Sequence, residues 1–138
     1  MSKHLSDCVL LADRHHGLSE GIRRLLEKSF NSVFLVADET SLVEGVGLLR
    51  PAAVVVDLSL GAGDLLGLMR ELRARAPAAK MLLLSVHDEP SVVRSALAAG
   101  ADGIILKRAI ATDLLPALDA ILAGRRFIPI NPRKPDQA

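Results

Sequence analysis

Four polar side chains, each closing an apolar run, are the residues of this chain best placed to do chemistry. Asp57 follows Ala52-Ala53-Val54-Val55-Val56, Asp13 follows Val9-Leu10-Leu11-Ala12, Ser85 follows Met81-Leu82-Leu83-Leu84, and Lys107 follows Gly103-Ile104-Ile105-Leu106. The run before Asp57 is β-branched and bounded by Pro51, Gly61 and Gly63, the composition of a strand buried on both faces of a parallel sheet. In open sheets of that kind ligands bind beyond the carboxyl ends of the strands, at the crevice where strand order reverses. If the strands are parallel, all four side chains converge on that edge, and Asp57 becomes a candidate nucleophile or metal ligand.

The elements that must position them alternate along the chain. Strand-like runs fall at about residues 8–12, 33–37, 52–56, 80–84 and 103–106, and stretches of helical spacing fill the gaps. Leu18, Ile22, Leu25 and Leu26 repeat at that spacing, as do Leu42, Val46 and Leu49, and then Leu65, Leu68, Met69 and Leu72. A fourth helix opens at Asp88-Glu89-Pro90, with acids in its first turn, and closes at Gly100; a fifth stops at Gly124. Five β–α units predict a doubly wound parallel sheet with helices on both faces. Residues 1–130 form one domain in this reading. Residues 131–138 are polar, hold two prolines, and read as a disordered tail or the start of a linker.

Composition narrows the function classes. Half of the 138 residues are apolar, yet no run approaches the eighteen or so apolar residues of a membrane span, and no signal-peptide core is present. The expectation is a soluble, cytoplasmic protein without a membrane partner. Cys8 is the single cysteine, which excludes an internal disulfide and a cysteine-based zinc cage. A net charge of +1 and only three aromatic residues, Phe30, Phe34 and Phe127, argue against direct nucleic-acid binding.

The four residues, in this order at strand ends, resemble the CheY-like receiver domains of two-component response regulators over about residues 7–128. Receivers place an acidic pair after the first strand, a phosphate-accepting aspartate after the third, Ser or Thr after the fourth and Lys after the fifth. Here those positions read Asp13-Arg14, Asp57, Ser85 and Lys107. The segments from Gly100 to Lys107 and from Ala120 to Pro129 look most like the NarL/FixJ-type branch, in which a DNA-binding helix-turn-helix domain normally follows. The resemblance implies a flavodoxin-like (βα)5 fold. It implies phosphorylation of Asp57 by a sensor histidine kinase, relayed to transcription regulation through the last helices and strand or through a homodimer. DNA would be reached only through a helix-turn-helix domain that is absent from these residues. A Mg²⁺ ion is implied as well, held by Asp13, Asp57 and the backbone carbonyl of Ser59.

The chemistry can also be argued from residue types. A phosphoryl acceptor needs a carboxylate nucleophile, positive charge to offset the phosphoryl oxygens, and a hydrogen-bond donor. Asp57, Lys107 and Ser85 supply these in turn, with Asp13 helping to hold the metal. Each alone has a plainer role, as a solvated strand end, a turn cap or a snorkelling lysine; the ordered set is what points to chemistry.

Three departures from the family pattern bear on mechanism. Arg14 stands where most receivers carry a second acid. A unit-charge pair at about 4 Å is worth about 4 kcal/mol at an effective dielectric near 20, so a guanidinium beside a dication weakens the metal site. Two orientations are open: Arg14 turned inward onto Asp57, or turned outward, leaving a weaker ion on Asp13, Asp57 and Ser59. Ile104 replaces a Tyr or Phe that in many receivers swings inward on activation. Gly61 stands where a proline is common, which predicts a more flexible loop.

Other readings carry less. His15, His16 and His87 fall near the mouth of the same pocket, where a transition-metal site built from them with Asp13 is conceivable, since imidazole and carboxylate are reasonable ligands; adjacent histidines on a loop seldom chelate one ion, and surface placement is expected. The glycines at 61, 63 and 67 miss dinucleotide-binding spacing. A phosphatase of the haloacid dehalogenase type wants an acid where Ser59 stands, so the chain is not read as an enzyme. The alternative to a phosphoacceptor is a phosphorylation-independent pseudo-receiver, a protein-interaction module.

Overall fold

Side chains alternate across a strand, so a strand covered by helices on both sides must be apolar at every position. The computed structural model describes residues 4–61 and 63–129. In chain order they form β1 (His4–Ala12), α1 (His16–Leu26), β2 (Phe30–Val36), α2 (Glu39–Leu49), β3 (Ala53–Asp57), α3 (Leu65–Arg75), β4 (Lys80–Ser85), α4 (Pro90–Ala98), β5 (Gly103–Leu106) and α5 (Ile110–Leu122). Every residue of β3 and of β5 is buried. All pairings are parallel, in the order β2-β1-β3-β4-β5. This is the doubly wound, flavodoxin-like sheet that the sequence predicts.

The period of two divides the core into two layers. Leu10, Val54, Val56 and Leu83 pack with α2 and α3 on one face, while Val9, Leu11, Val55 and Leu84 pack with α1 and α5 on the other. Gly100 and Gly124 take positive φ angles of 107° and 86° just after α4 and α5, where a left-handed residue ends a helix. Gly103 has a different reason to lack a side chain. A Cβ there would lie 3.1 Å from both the Ile121 methyl and the Phe127 carbonyl. That close approach lets Ile104 donate its N–H to Phe127 at 2.9 Å, so the chain after α5 covers the outer edge of β5.

The structure departs from the sequence reading in places. β1 starts at His4 and β2 at Phe30, each earlier than the apolar pattern suggests. α4 starts at Pro90, so the acids expected in its first turn lie just before it, and Asp88 pairs with Arg108 at 3.1 Å. Two 3₁₀ turns, Leu58–Gly61 and Lys107–Ala109, were not anticipated. The chain after Asp57, where Gly61 predicts a more flexible loop, forms a tight turn over Leu58–Gly61 that buries Leu60 at 1% exposure. Ala62 and the tail read at 131–138 lie outside the described residues. No helix among the described residues is long and apolar enough to cross a membrane.

Candidate phosphoryl and metal site

The chain leaves β1 for β2 on one side and reaches β3 on the other, so strand order reverses between β1 and β3. Ala12 pairs with Val56, and the residues that follow them, Asp13 and Asp57, therefore stand side by side at the carboxyl edge. Both are buried, at 4% and 3% exposure. Ser85 pairs with Leu106, and Lys107 is the next residue. Strand register alone thus delivers all four residues to one edge.

Lys107 Nζ donates to Asp57 Oδ2 at 3.0 Å and lies 3.5 Å from Asp13 Oδ2. The Ser59 backbone N–H donates to Asp57 Oδ1 at 3.2 Å. Burial pushes the Asp57 carboxyl up, but the Lys107 and Ser59 hydrogen bonds and the ammonium charge together hold it below the ordinary carboxylate range. Counted formally, the two carboxylates against one ammonium leave one net negative charge among these three side chains. Asp13 Oδ2 is buried and has no hydrogen-bond partner among the described residues. A buried acceptor left in that condition calls for an ion or a donor.

Sequence reasoning put His15 at the mouth of this pocket but favoured surface placement for it. Its backbone N–H donates to Asp13 Oδ1 at 2.8 Å, a local turn of the Asx type that folds the side chain back over the carboxylates. Its Nδ1 then sits 3.0 Å from Asp13 Oδ1 and 3.6 Å from Asp57 Oδ2. The available signal was the Asp-x-His spacing, since an aspartate at a strand end readily caps the second N–H after it. Surface placement describes His15 only in part: its side chain is 59% exposed, yet one ring nitrogen faces the site. His87 lines the mouth and is exposed; the His16 side chain lies outside the described residues.

An inward Arg14 is not what the structure contains. Arg14 is exposed, and among the described residues no ion pair joins it to Asp13 or Asp57. Ser85 is 1% exposed, and its hydroxyl is engaged elsewhere: it donates to the His87 carbonyl at 2.8 Å and accepts from the His87 N–H at 2.9 Å. Ile104, in β5, is fully buried in the core layer that also holds Leu83 of β4 and Ala96 of α4. A cavity of about 290 Å³ opens over Asp57, lined also by His15, Leu58, Ser59, Val86, His87 and Lys107.

The donor set fits a divalent cation. Mg²⁺ commonly rests on one or two carboxylates and keeps several waters. Asp13 and Asp57 supply two carboxylates, one Asp13 oxygen of which accepts no hydrogen bond among the described residues, and Ser59 lines the cavity at Asp57.

Comparison with known proteins agrees with this geometry. The model of the response regulator receiver domain family matches residues 9–119. The transcriptional regulatory protein RcsB of Escherichia coli K12 is 30% identical over 126 residues, 88% of this chain and 58% of that protein. The chain therefore spans little more than half the length of the curated relatives it matches. The isolated receiver domain of RcsB from Salmonella enterica serovar Typhimurium, in its apo form, superposes with a TM-score of 0.82 at 28% identity, covering 96% of this chain and 100% of that one. A LuxR-family two-component response regulator from Aurantimonas sp. SI85-9A1 gives 0.80 at 31% identity, covering 88% and 89%. Sheet order, the residues at the strand ends and these relatives agree: the chain belongs to the response regulator receiver domain family of two-component signalling, in its NarL/FixJ-type branch.

Proposed function

We propose that Asp57 accepts a phosphoryl group from a sensor histidine kinase and that the domain relays this event to an output that regulates transcription. The observation that carries the reading is the Asp57 carboxylate itself, buried yet held ionised 3.0 Å from the Lys107 ammonium at the switch point of the sheet. An ionised carboxylate is the nucleophilic form, and a fixed ammonium offsets charge on the incoming phosphoryl oxygens. An Asp57 oxygen forms the new P–O bond as the P–N bond of the donor breaks. The electron pair departs with the donor nitrogen, which takes up a proton.

A bound Mg²⁺ would supply further charge neutralisation, with Asp13, Asp57 and the Ser59 carbonyl as its protein ligands. Ser85 is the donor reserved for a phosphoryl oxygen. To serve, its hydroxyl must leave the His87 carbonyl, which frees the connection between β4 and α4 to move. With Ile104 packed where other receivers have a swinging ring, that connection is the proposed route to the output surface, and a homodimer is one form the output could take. The role is signalling rather than turnover, in the cytoplasm, with DNA contacted only through a separate helix-turn-helix domain.

Intact-mass measurement after incubation with phosphoramidate, with and without Mg²⁺, tests the proposal. Gain of one phosphoryl group that depends on Mg²⁺ and disappears in Asp57→Asn supports it. No gain under either condition would leave the phosphorylation-independent interaction module as the better account.

A further inference from the structure

We infer that this pocket selects its dication through the His15 imidazole, so that a transition ion such as Mn²⁺, Co²⁺ or Zn²⁺ is preferred well above Mg²⁺. Asp13, His15 and Asp57 each offer a ligand atom, all within 4.8 Å of one another. His15 Nδ1 is 3.0 Å from Asp13 Oδ1 and 3.6 Å from Asp57 Oδ2. Metal–donor bonds of about 2.1 Å separate neighbouring ligands by about 3.0 Å in an octahedron and about 3.4 Å in a tetrahedron. The His15–Asp13 contact, itself a hydrogen bond, has the length of an octahedral edge, and the His15–Asp57 separation is slightly longer than a tetrahedral one.

Two further observations point to an ion there. Asp13 Oδ2 is buried and accepts no hydrogen bond among the described residues, with the Lys107 ammonium 3.5 Å away. Lys107 is a resident cation, yet it leaves one net negative charge for a dication to neutralise. Magnesium takes oxygen ligands and gains little from a ring nitrogen, whereas imidazole suits the later divalent ions. For Nδ1 to coordinate, His15 keeps its proton on Nε2, and the half-exposed ring has solvent available for that proton. Any mixed nitrogen and oxygen site favours transition ions to some degree. The specific content is that His15 carries the selectivity.

The inference rests on reading this pocket as the cation and phosphoryl site, and its test reads the metal alone. Mg²⁺, Mn²⁺ and Co²⁺ are titrated separately into the untagged chain by calorimetry, with the visible absorption of bound Co²⁺ as a second readout. One equivalent of Co²⁺ should bind at least about tenfold more tightly than Mg²⁺. His15→Ala, and His15→Gln as a variant that keeps side-chain bulk, should weaken Co²⁺ about tenfold and change its absorption while moving Mg²⁺ by less than about threefold. An unchanged ratio of Co²⁺ to Mg²⁺ affinity in both variants overturns the inference. So does Co²⁺ binding that persists in Asp13→Asn and Asp57→Asn, since it would belong to surface histidines. Mg²⁺-dependent phosphorylation that survives in His15→Ala with that ratio unchanged would sink this inference and leave the proposed function standing.

Discussion

Replacing Lys107 by Met should turn the pocket from a stabilising into a destabilising feature, with a pH dependence that identifies the cause. The ammonium lies 3.0 Å from Asp57 Oδ2 and 3.5 Å from Asp13 Oδ2. At an effective dielectric near 20, contacts of this length are each worth about 5 kcal/mol of gross attraction. Much of that is offset by the cost of burying the ammonium, whose side chain is 13% exposed, and stranding a buried charge typically costs about 3–5 kcal/mol net. Methionine keeps the volume, so about 3 kcal/mol of destabilisation at pH 7 is expected from the uncompensated carboxylates. In the wild type the Asp57 carboxyl sits below its unfolded value, so its contribution is complete above about pH 4 and fades as pH falls through the folded value. Without Lys107 the balance reverses: burial and the Asp13 charge push Asp57 up, and the variant loses stability as pH rises from about 4 toward 7. Urea titrations at pH 7 and pH 5 measure both. A Lys107→Met cost under about 0.5 kcal/mol at pH 7, or one unchanged at pH 5, would refute the electrostatic reasoning. Asp57→Asn combined with Lys107→Met should recover most of the loss, and a purely additive double variant would count against direct coupling.

Ser85→Ala removes a buried hydroxyl bonded to both backbone groups of His87; a loss of about 1–2 kcal/mol in chemical denaturation is expected, together with faster amide exchange confined to residues 86–89. Gly103→Ala drives a methyl against Ile121 and the Phe127 carbonyl, so about 1–3 kcal/mol should be lost and exchange of the Ile104 amide should quicken; unchanged Ile104 protection would contradict the edge pairing. Arg50 ends α2 with φ 48°, the left-handed conformation that L side chains disfavour. Arg50→Gly should therefore stabilise the fold by about 0.5–1 kcal/mol in thermal or urea unfolding, and a loss of stability would show that the arginine side chain makes a contact worth more than the strain.

The fold was legible because burial on both faces leaves a loud signal: unbroken apolar runs, ended by polar residues and separated by helical periodicity. Parallel pairing with helices on both faces followed from the alternation of strand and helix, whereas the order β2-β1-β3-β4-β5 comes from the structure. The edges were less legible. His4 enters β1 through backbone pairing with Phe30, which side-chain pattern does not report. The meeting of Asp57 and Lys107, 50 positions apart, was visible from their places at strand ends. His15 was visible as a residue of the pocket mouth, but its contact with the carboxylates was not, because that depends on a two-residue turn around Asp13 that no periodicity encodes. Arg14 shows the converse: adjacency to Asp13 suggested an intruding charge, but successive residues leaving a strand point in different directions, and the guanidinium faces solvent. Ser85 was legible as a residue of this edge, while the partner its hydroxyl takes, the His87 backbone, was not.

The central claim is that one carboxylate among two buried neighbours, Asp57 and not Asp13, carries the phosphoryl group. An acyl phosphate is reduced by borohydride to an alcohol, converting the modified aspartate into homoserine at that position alone. Treatment with phosphoramidate and a divalent cation, borohydride reduction and peptide sequencing by mass spectrometry should place homoserine at residue 57, with none at residue 13 and none in Asp57→Asn. Homoserine at residue 13, or its absence from an otherwise folded and metal-loaded chain, would contradict the account.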